Sequence, residues 1–413
     1  MNKTSNFSFK GFKDVNWETV LGRFLMERTY PKEQRVLKNL LKTIIDPIFP
    51  KYEYYFDNHG SKLFFFISSN NRENVTKSFE TVRSLKDGDF LSIFTKGRHH
   101  NVIGGLYVLI CLVPLWAMQI RKIARNFNEF FWLMVILQQI YTVEKELRKI
   151  DIDKYKALFT YYDSLEPEAY VVQCFKKKGI TTVSLQHGQF TDKCDESFID
   201  SGVELHTFNS DYLLCWNKFT FDEAVKSGIS PEKLVIAGIW SYINKKRAIC
   251  RKNHNGIFGV VIGHPSFEQE NLNLIAAANN LSEKYGLKYY LKLHPFYKED
   301  HFSKNVNGCY LGNIKKGIPM LDYANQVDFT LIGSTSVFVE LIYIGHDVYR
   351  YSSGEANDKY KSIKIGKYFN CPDEINTVYL KEKEKDYTEQ LFDYLCTVAD
   401  VTTEYKRFLD KFL

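Results

Sequence analysis

The sequence lacks the features that mark several large classes of protein. Among its eight cysteines no two are spaced as CxxC, so neither a zinc site nor a disulfide framework is indicated. It has no internal repeat and no low-complexity tract. Its first residues, MNKTSNFSFKGFKDVNW, contain no apolar stretch of the kind found in signal peptides. We therefore expect reduced thiols and a cytoplasmic location.

An excess of charge of one sign is also missing. The 55 basic and 49 acidic residues are spread along the chain and leave a formal net charge of only +6. So mild an excess gives no reason to expect a nucleic-acid partner. It does suit an anionic donor molecule or the negatively charged inner face of a membrane.

The chain is long enough for two folded domains. Its 413 residues, 45% hydrophobic and 25% charged, exceed what one hydrophobic core usually serves. One apolar segment, 101–120, carries no charge and is long enough to span a bilayer. Because strand-like runs lie on both sides of it, three interpretations stay open: a spanning helix, a buried helix, or a face docked on a membrane through its basic flanks.

A regular alternation of strands and helices begins after residue 60. The strands are short apolar runs separated by polar loops or amphipathic helices. They are predicted at 62–68, 89–95, 156–162, 180–186, 211–217 and 233–239, and then at 257–263, 287–293, 308–312, 327–333 and 346–351. Nearly continuous apolar strands that alternate with helices indicate parallel sheets covered on both faces.

A polar, basic interruption divides this alternation in two. The segment NKKRAICRKNHNG, 244–256, is typical of a linker between domains. The predicted organisation is a helical preface at 1–60, Rossmann-like domains at 61–243 and 257–385, and a C-terminal helix or pair of helices at 386–413. We therefore expect an α/β protein with two Rossmann-like domains whose parallel sheets face a cleft. Ligands of such sheets bind at the carboxyl ends of strands, so residues that follow strands are the candidates for function.

The first predicted domain offers a general base. His187 follows a predicted strand, and Gly188 and Gln189 come next in the motif SLQHGQF. A histidine at a strand end could accept a proton from an attacking hydroxyl, with the glycine leaving room for the backbone. A structural loop histidine has the same pattern. Asp163, at the end of another predicted strand, is an alternative base.

The second predicted domain offers residues that could bind phosphate. The motif LKLHPF places Lys292 and His294 at a strand end, where they could meet a diphosphate or a departing phosphate, or simply form a turn. Gly263 and His264 follow the first strand of this domain and are a further candidate for the phosphate side of the site.

The most specific stretch is GSTSVFVELIYIG, which begins at Gly333. Ser334, Thr335 and Ser336 open a helix there, so hydroxyl groups and backbone N–H groups converge where an anion is favoured. The same residues could merely cap the helix. Glu340 lies one turn further among apolar neighbours, where an acid without partners is costly, and two ribose hydroxyls would be suitable partners.

Together these motifs resemble those of GT-B transferases. QHG in the first domain, LHP in the second, and a Gly-Ser/Thr segment with Glu340 five residues before Gly345 are similar to motifs of bacterial capsule-biosynthesis glycosyltransferases and, more distantly, of teichoic acid polyol-phosphate transferases. The likeness covers residues 155–355. It implies that His187 is the base, that His294 and the serine-threonine cluster hold the donor phosphates, and that Glu340 binds ribose. Residues 341–344 replace the small residues usual there, so the donor type stays open.

The resemblance implies a nucleotide-activated sugar donor, no separate cofactor and a polysaccharide or lipid-linked glycan acceptor. The acceptor hydroxyl would attack the anomeric carbon with inversion, and no metal ion is expected to take part. Three alternatives stay open: transfer of glycerol or ribitol phosphate from a CDP donor, a sugar-nucleotide 2-epimerase that needs no acceptor, and a non-catalytic carbohydrate-binding subunit of a capsule complex.

Overall fold

Two compact units make up the protein. The computed structural model describes residues 8–27, 36–48, 50, 52–68, 79–95, 102–190, 204–251, 254–352, 358 and 360–413. The first unit takes its described residues from Met1–Cys215, Glu223–Val235 and Thr402–Leu413, and the second from Trp216–Asp222 and Ile236–Val401. Each unit is built on its own largely or wholly parallel sheet, which confirms the predicted pair of Rossmann-like folds.

The first unit contains a seven-stranded sheet in the order β1-β3-β2-β4-β5-β6-β7. Its strands are β1 (Tyr52–Asp57), β2 (Leu63–Ile67), β3 (Asp89–Thr95), β4 (Ala157–Thr160), β5 (Thr181–Leu185), β6 (Tyr212–Cys215) and β7 (Leu234–Ile236). The strands β2 to β6 pair in parallel, and β1 pairs antiparallel with β3. β2 reads LFFFI and buries every side chain, as expected of a strand covered on both faces.

Strand β1 corrects the prediction that 1–60 form a helical preface. The described helices of this region are Trp17–Val20, Gly22–Glu27 and Val36–Ile48. The following sequence, YEYYFD, forms a strand because its aromatic rings alternate in direction: Tyr54 stacks on Phe66 and Phe56 packs on Phe64, whereas Tyr55 between them is exposed. A period of two is the pattern of a half-buried strand.

Helices pack on the first sheet through a core rich in aromatic side chains. They include Val102–Tyr107, continued by a π-helical stretch at Val108–Leu112 and by Val113–Ile120, and then Phe127–Leu147 and Glu166–Lys176. Trp116 and Tyr170 are fully buried, and both rings contact Phe12. The Tyr170 hydroxyl also donates to Glu144 over 2.8 Å and accepts the backbone N–H of Lys13 over 2.9 Å. The segment around Phe12 is therefore part of the core.

The second unit contains a six-stranded sheet in the order β10-β9-β8-β11-β12-β13, parallel at every pairing. Its strands are β8 (Ile257–Val261), β9 (Lys288–Lys292), β10 (Tyr310–Asn313), β11 (Thr330–Ile332), β12 (Val348–Tyr351) and β13 (Lys367–Phe369). Its helices include Glu268–Tyr285, Met320–Ala324, Val337–Tyr343, Ile375–Glu382 and Thr388–Leu395. Gly286 ends the first of these helices in the left-handed conformation that helix termini favour.

Two predicted boundaries differ from the observed units. The described part of the predicted linker, 244–256, packs on the second unit: the Arg247 guanidinium lies 3.5 Å from the ring centroid of Phe392, and Cys250 donates its backbone N–H to Ile344. The predicted C-terminal helix or pair of helices, 386–413, is a pair divided between the units: Thr388–Leu395 lies in the second unit, and most of Val401–Leu409 belongs to the first. Polarity along a segment is a poor guide to a boundary because arginine buries its stem while its charged end stays polar.

Candidate active site

The strand order of the second sheet has a reversal between β8 and β11. From β8 the chain moves to β9 and β10 on one side, and β11, β12 and β13 then add to the other side. At the carboxyl end, Val261 of β8 pairs with Lys292 of β9 and with Ile332 of β11. Open parallel sheets bind ligands at such a switch point, outside the carboxyl ends of the strands. The donor-side residues predicted from the sequence follow these three strands.

Asn271 holds the loop after β8. The Gly263 backbone N–H donates to the Asn271 side-chain oxygen over 2.8 Å, and the Asn271 amide donates to the carbonyl oxygens of Gly263 and His264 over 3.3 and 3.4 Å. Asn271 is fully buried at the start of the helix Glu268–Tyr285 and accounts for the loop's shape. No signal in the sequence singled it out, because it looks like any polar residue of a helix.

His264 and His294 lie side by side, one after each of two neighbouring strands. Their ring centroids are 5.2 Å apart and their planes are nearly perpendicular. Each ring accepts the backbone N–H two residues further along the chain at Nδ1, from Ser266 over 3.1 Å and from Phe296 over 3.3 Å. An acceptor at Nδ1 places the proton of a neutral imidazole on Nε2. Two Nε2–H groups at the switch point could donate to an anion.

Glu340 and Lys292 form the charged part of this edge. Glu340 is half-buried in the helix Val337–Tyr343. Burial raises the pKa of its carboxyl group, and the positive charges of Lys292 and Lys245 oppose that rise. Burial likewise lowers the pKa of Lys292, and Glu340 opposes the change. A carboxylate and an ammonium group, both partly withdrawn from water, therefore stabilise each other's charged form here.

Ser334 serves the interior of the second unit. Its backbone N–H donates to Glu270 over 2.7 Å, and its hydroxyl donates to Asp358. The Arg350 guanidinium also donates to both carboxylate oxygens of Asp358, over 2.8 and 2.7 Å. Because all four side chains are buried, this network fixes the loop and leaves the Ser334 hydroxyl engaged. Of the predicted cluster, Ser336 is exposed, and the half-buried Thr335 accepts the backbone N–H of Val337 over 3.4 Å.

His187 lies in an aromatic setting in the first unit, directly after β5. Its ring is half-buried, with its centroid 3.9 Å from that of Tyr162 in an edge-on contact and 5.1 Å from that of Phe190. The next residue, Gly188, has open space where a Cβ would stand and no positive φ angle. Nothing within the fold demands a glycine here. The buried Gln189 donates its side-chain amide to the Phe190 carbonyl over 3.3 Å.

Asp163, which follows β4, fixes the backbone of residues 209 and 210. One of its carboxylate oxygens accepts the backbone N–H groups of Asn209 and Ser210 over 3.1 and 2.7 Å, and the side chain is buried. Burial raises the pKa of this carboxyl group, and its hydrogen bonds oppose that rise. These two bonds use the same oxygen, Oδ2, and give Asp163 a positioning role toward the backbone of residues 209 and 210.

A buried ionic cluster that the sequence did not predict supports Tyr162. Arg23 donates to the Tyr162 hydroxyl and forms ion pairs with Glu27 over 2.6 Å and with Glu204 over 3.0 Å. Burial raises the pKa of Glu204 to about 8 against the charge of Arg23. The five residues that meet here, counting His187 through its contact with Tyr162, come from separate parts of the chain except for Arg23 and Glu27, which lie one helical turn apart. Only the tertiary structure brings them together.

Comparison with known proteins adds a fold assignment. No protein-family model matches the sequence, and no curated protein matches it. Among solved structures, the chain is similar to a protein of Listeria monocytogenes described as a UDP-N-acetylglucosamine 2-epimerase, with 10% identity, a TM-score of 0.52, and coverage of 84% of this chain and 94% of that one. The UDP-GlcNAc 2-epimerase of Methanocaldococcus jannaschii gives 10% identity, a TM-score of 0.50, and coverage of 84% and 99%.

The fold is GT-B. These identities show the fold alone, and they agree with the two parallel sheets described above. The wall teichoic acid polymerase TagF covers 96% of this chain and 97% of its own, at 12% identity and a TM-score of 0.42, which is too low to support the predicted likeness to teichoic acid enzymes. The GT-B fold is shared by enzymes that differ in reaction, so the reaction has to be argued from the site.

Proposed function

We propose that this GT-B protein is a glycosyltransferase that moves a sugar from a nucleotide-activated donor to a cell-surface polysaccharide or a lipid-linked glycan. The observation that carries the proposal is the half-buried Glu340 beside Lys292 at the switch point of the second sheet. A partly desolvated carboxylate there needs donors from a ligand, and the two hydroxyls of a ribose supply them. The proposed location is the cytoplasm, on the inner face of the cell membrane.

The groups around Glu340 suit the rest of a nucleotide donor. Lys292 carries a positive charge, and the neutral tautomer assigned to His264 and His294 carries its proton on Nε2. These are donors that a diphosphate accepts well. Solved structures with a TM-score of 0.50 or more, including the two compared above, carry names that specify UDP-N-acetylglucosamine as what those proteins act on. That supports a nucleotide sugar as the donor here.

The proposed step is a displacement at the anomeric carbon. The acceptor hydroxyl oxygen forms the new bond, the bond from the anomeric carbon to the phosphate oxygen breaks, and the nucleotide leaves with that electron pair. The hydroxyl proton passes to His187, and the configuration inverts. Lys292, His264 and His294 stabilise the charge that develops on the departing phosphate. We propose that no metal takes part, so EDTA should leave the rate unchanged.

Ligand-induced stabilisation tests the donor site. We expect one nucleotide among CMP, CDP, UDP, GDP and dTDP to raise the melting temperature, because a ligand that binds only the folded state stabilises it. Glu340→Ala should abolish this shift, whereas Glu384→Ala, which removes an exposed carboxylate from the same unit, should keep it. If no nucleotide shifts the unchanged protein at millimolar concentration, the donor-site assignment fails.

A sugar-nucleotide 2-epimerase is the second candidate, because the structures with the higher TM-scores carry that name. The two reactions differ in what they need. An epimerase converts its nucleotide sugar with no acceptor present, whereas a transferase consumes it only when an acceptor is added. Product analysis by mass spectrometry and NMR therefore separates them. A gain in acceptor mass equal to a polyol phosphate would instead indicate the CDP-dependent reaction.

A further inference from the structure

The helical segment Val102–Ile120 has two different sides. It is the only helix among the described residues that is long and apolar enough to cross a membrane, with a mean hydropathy of 2.0. One side, spaced every three or four residues, is buried: Gly105, Val108, Leu112, Trp116 and Ile120. This spacing is that of one face of a helix. The side belongs to the core of the first unit, where the Trp116 indole donates to the Lys10 carbonyl over 2.9 Å.

The opposite side exposes large apolar residues to solvent. Ile103 is 88% exposed and Ile110 is 68% exposed, and Tyr107 and Met118 are also exposed on the same spacing. Only 28% of the most apolar window is buried. Large contiguous apolar surfaces in contact with water are rare in soluble monomers and mark interaction sites.

A second helix adds to this surface. Val36–Ile48 exposes Leu37, Leu41 and Ile44. The two helices touch closely at Gly105, where a Cβ atom would stand only 2.7 Å from the Cα atom of Ile48. We call the exposed side chains of both helices the apolar face, defined by Leu37, Leu41, Ile44, Ile103, Ile110 and Met118.

The charges beside the apolar face are mostly positive, although Asp46 on the second helix and Glu129, which pairs with Arg125 over 2.7 Å, are acidic. From residue 96 to residue 128 the chain has five basic residues and no acidic one, and Arg121 and Lys122 of these are exposed. Lys38, exposed on the second helix, adds another positive charge. Lys96 and Arg98 lie outside the described residues. Basic residues that flank an apolar surface complement the negative headgroups of anionic lipids.

We propose that the apolar face inserts into one leaflet of an anionic lipid bilayer, with the flanking basic residues at the headgroups. A spanning helix does not fit, because it would withdraw the fully buried Trp116 and its neighbours from the core of the first unit. The docking goes beyond the proposed transferase activity and depends on none of its site residues. Of the three interpretations of segment 101–120, the proposal is therefore the face docked on a membrane.

Flotation of the whole chain with vesicles tests the proposal. We expect it to float with vesicles rich in phosphatidylglycerol and to stay behind with pure phosphatidylcholine. The double variant Ile103→Glu with Ile110→Glu should bind about tenfold or more weakly, because charges would have to enter the leaflet. Leu380→Glu, a change at a 63% exposed leucine of the second unit, should bind normally. Arg121→Glu with Lys122→Glu should weaken binding, whereas the control Lys381→Glu should not.

A fluorescent probe on Cys111 measures how deeply the apolar segment enters the bilayer. Cys111 and Cys371 are both exposed, and only Cys111 lies in the apolar segment. In a chain whose Cys194, Cys309 and Cys371 are serine, a fluorophore on Cys111 should shift to the blue with anionic vesicles and be quenched by lipids brominated near the headgroup. The same fluorophore on Cys371, with Cys111→Ser, should not respond.

Three outcomes would overturn the docking. The first is failure of the unchanged chain to float with anionic vesicles. Quenching of the Cys111 probe by lipids brominated at the bilayer centre, together with resistance of the chain to extraction from the membrane at high pH, would show a spanning helix. The unchanged chain could instead self-associate in sedimentation experiments without binding vesicles. If Ile103→Glu abolished that association, the apolar face would be the contact with a second copy of the chain. None of these results bears on nucleotide binding, so the proposed function stands or falls separately.

Discussion

Glu270 accepts the backbone N–H of Ser334 over 2.7 Å, and this bond ties the helix after β8 to the loop after β11. The two strands flank the switch point of the second sheet, so the bond fixes the geometry of the candidate donor site. Glu270 is buried, and burial raises its pKa to about 7. The residue before Ser334 has to be small for the carboxylate to come this close.

We predict that Gly333→Ala destabilises the second unit. A Cβ atom at this position would stand 1.9 Å from the Glu270 carboxylate oxygen, which is buried and has little room to move. Overpacking of this kind costs about 1–3 kcal/mol of unfolding free energy. Urea denaturation measures the loss, and the nucleotide-induced shift in melting temperature should decrease as well. Gly308→Ala is the control, since a Cβ there meets nothing within 4 Å, and an equal effect of both changes would contradict the prediction.

We predict a pH-dependent stability that Glu168 controls. Glu168 accepts the backbone N–H of Ser68 over 2.8 Å, and burial raises the pKa of its carboxyl group from 4.5 to about 8. The folded state therefore holds a proton that the unfolded state has lost. The stabilisation is fully present below about pH 4.5 and is lost as the pH rises through about 8.

Glu168→Gln isolates this effect. The amide cannot ionise and keeps an oxygen for the Ser68 N–H, so the melting temperature of the variant should fall less between pH 5 and pH 8. Glu384→Gln, a change at an exposed carboxylate, should leave the pH dependence of the melting temperature the same as in the unchanged protein. A Glu168→Gln profile parallel to that of the unchanged protein would show that Glu168 does not titrate in this range.

We predict that replacing Arg23 lowers the free energy of unfolding by more than replacing an exposed arginine does. In Arg23→Met, the buried Glu204 and Glu27 lose the cation that neutralises them, and breaking a buried pair costs about 3–5 kcal/mol. Above about pH 8, where Glu204 ionises, adding Glu204→Gln to Arg23→Met should restore part of the loss, because it removes one uncompensated charge. Urea unfolding of the single and double variants measures the coupling. Arg407→Met, at an exposed surface pair, should change little, and strictly additive effects at Arg23 and Glu204 would rule out the coupling.

His187 is predicted to act as the general base. Its replacement by alanine should lower kcat by about 100-fold or more while the nucleotide-induced stabilisation persists, because the donor residues belong to the other unit. The exposed His254→Ala is the matched control. A decrease of only a few-fold, with the fold intact, would assign His187 a structural role.

Much of the architecture could be predicted from the sequence. The runs LFFFI, ALFT and IFGVV are almost entirely apolar, and a sheet covered on both faces hides such strands from water. The strand-end motifs predicted which edge would carry Lys292, His294 and Glu340, since parallel strands end at one edge. The prediction fails at β1, because the period of two in YEYYFD covers only six residues directly after a helical pattern.

The sequence by itself determined the α/β class, the parallel strands and the candidate residues that follow them, because these depend on patterns within short stretches of chain. Only the tertiary structure decided that Ser334 is engaged with Asp358, that Asp163 holds the backbone at 209–210, and that Arg23 reaches Tyr162. It also decided which side of the segment 102–120 is exposed. These features depend on contacts between residues far apart in the chain, and local pattern carries no information about which distant groups will share one buried space.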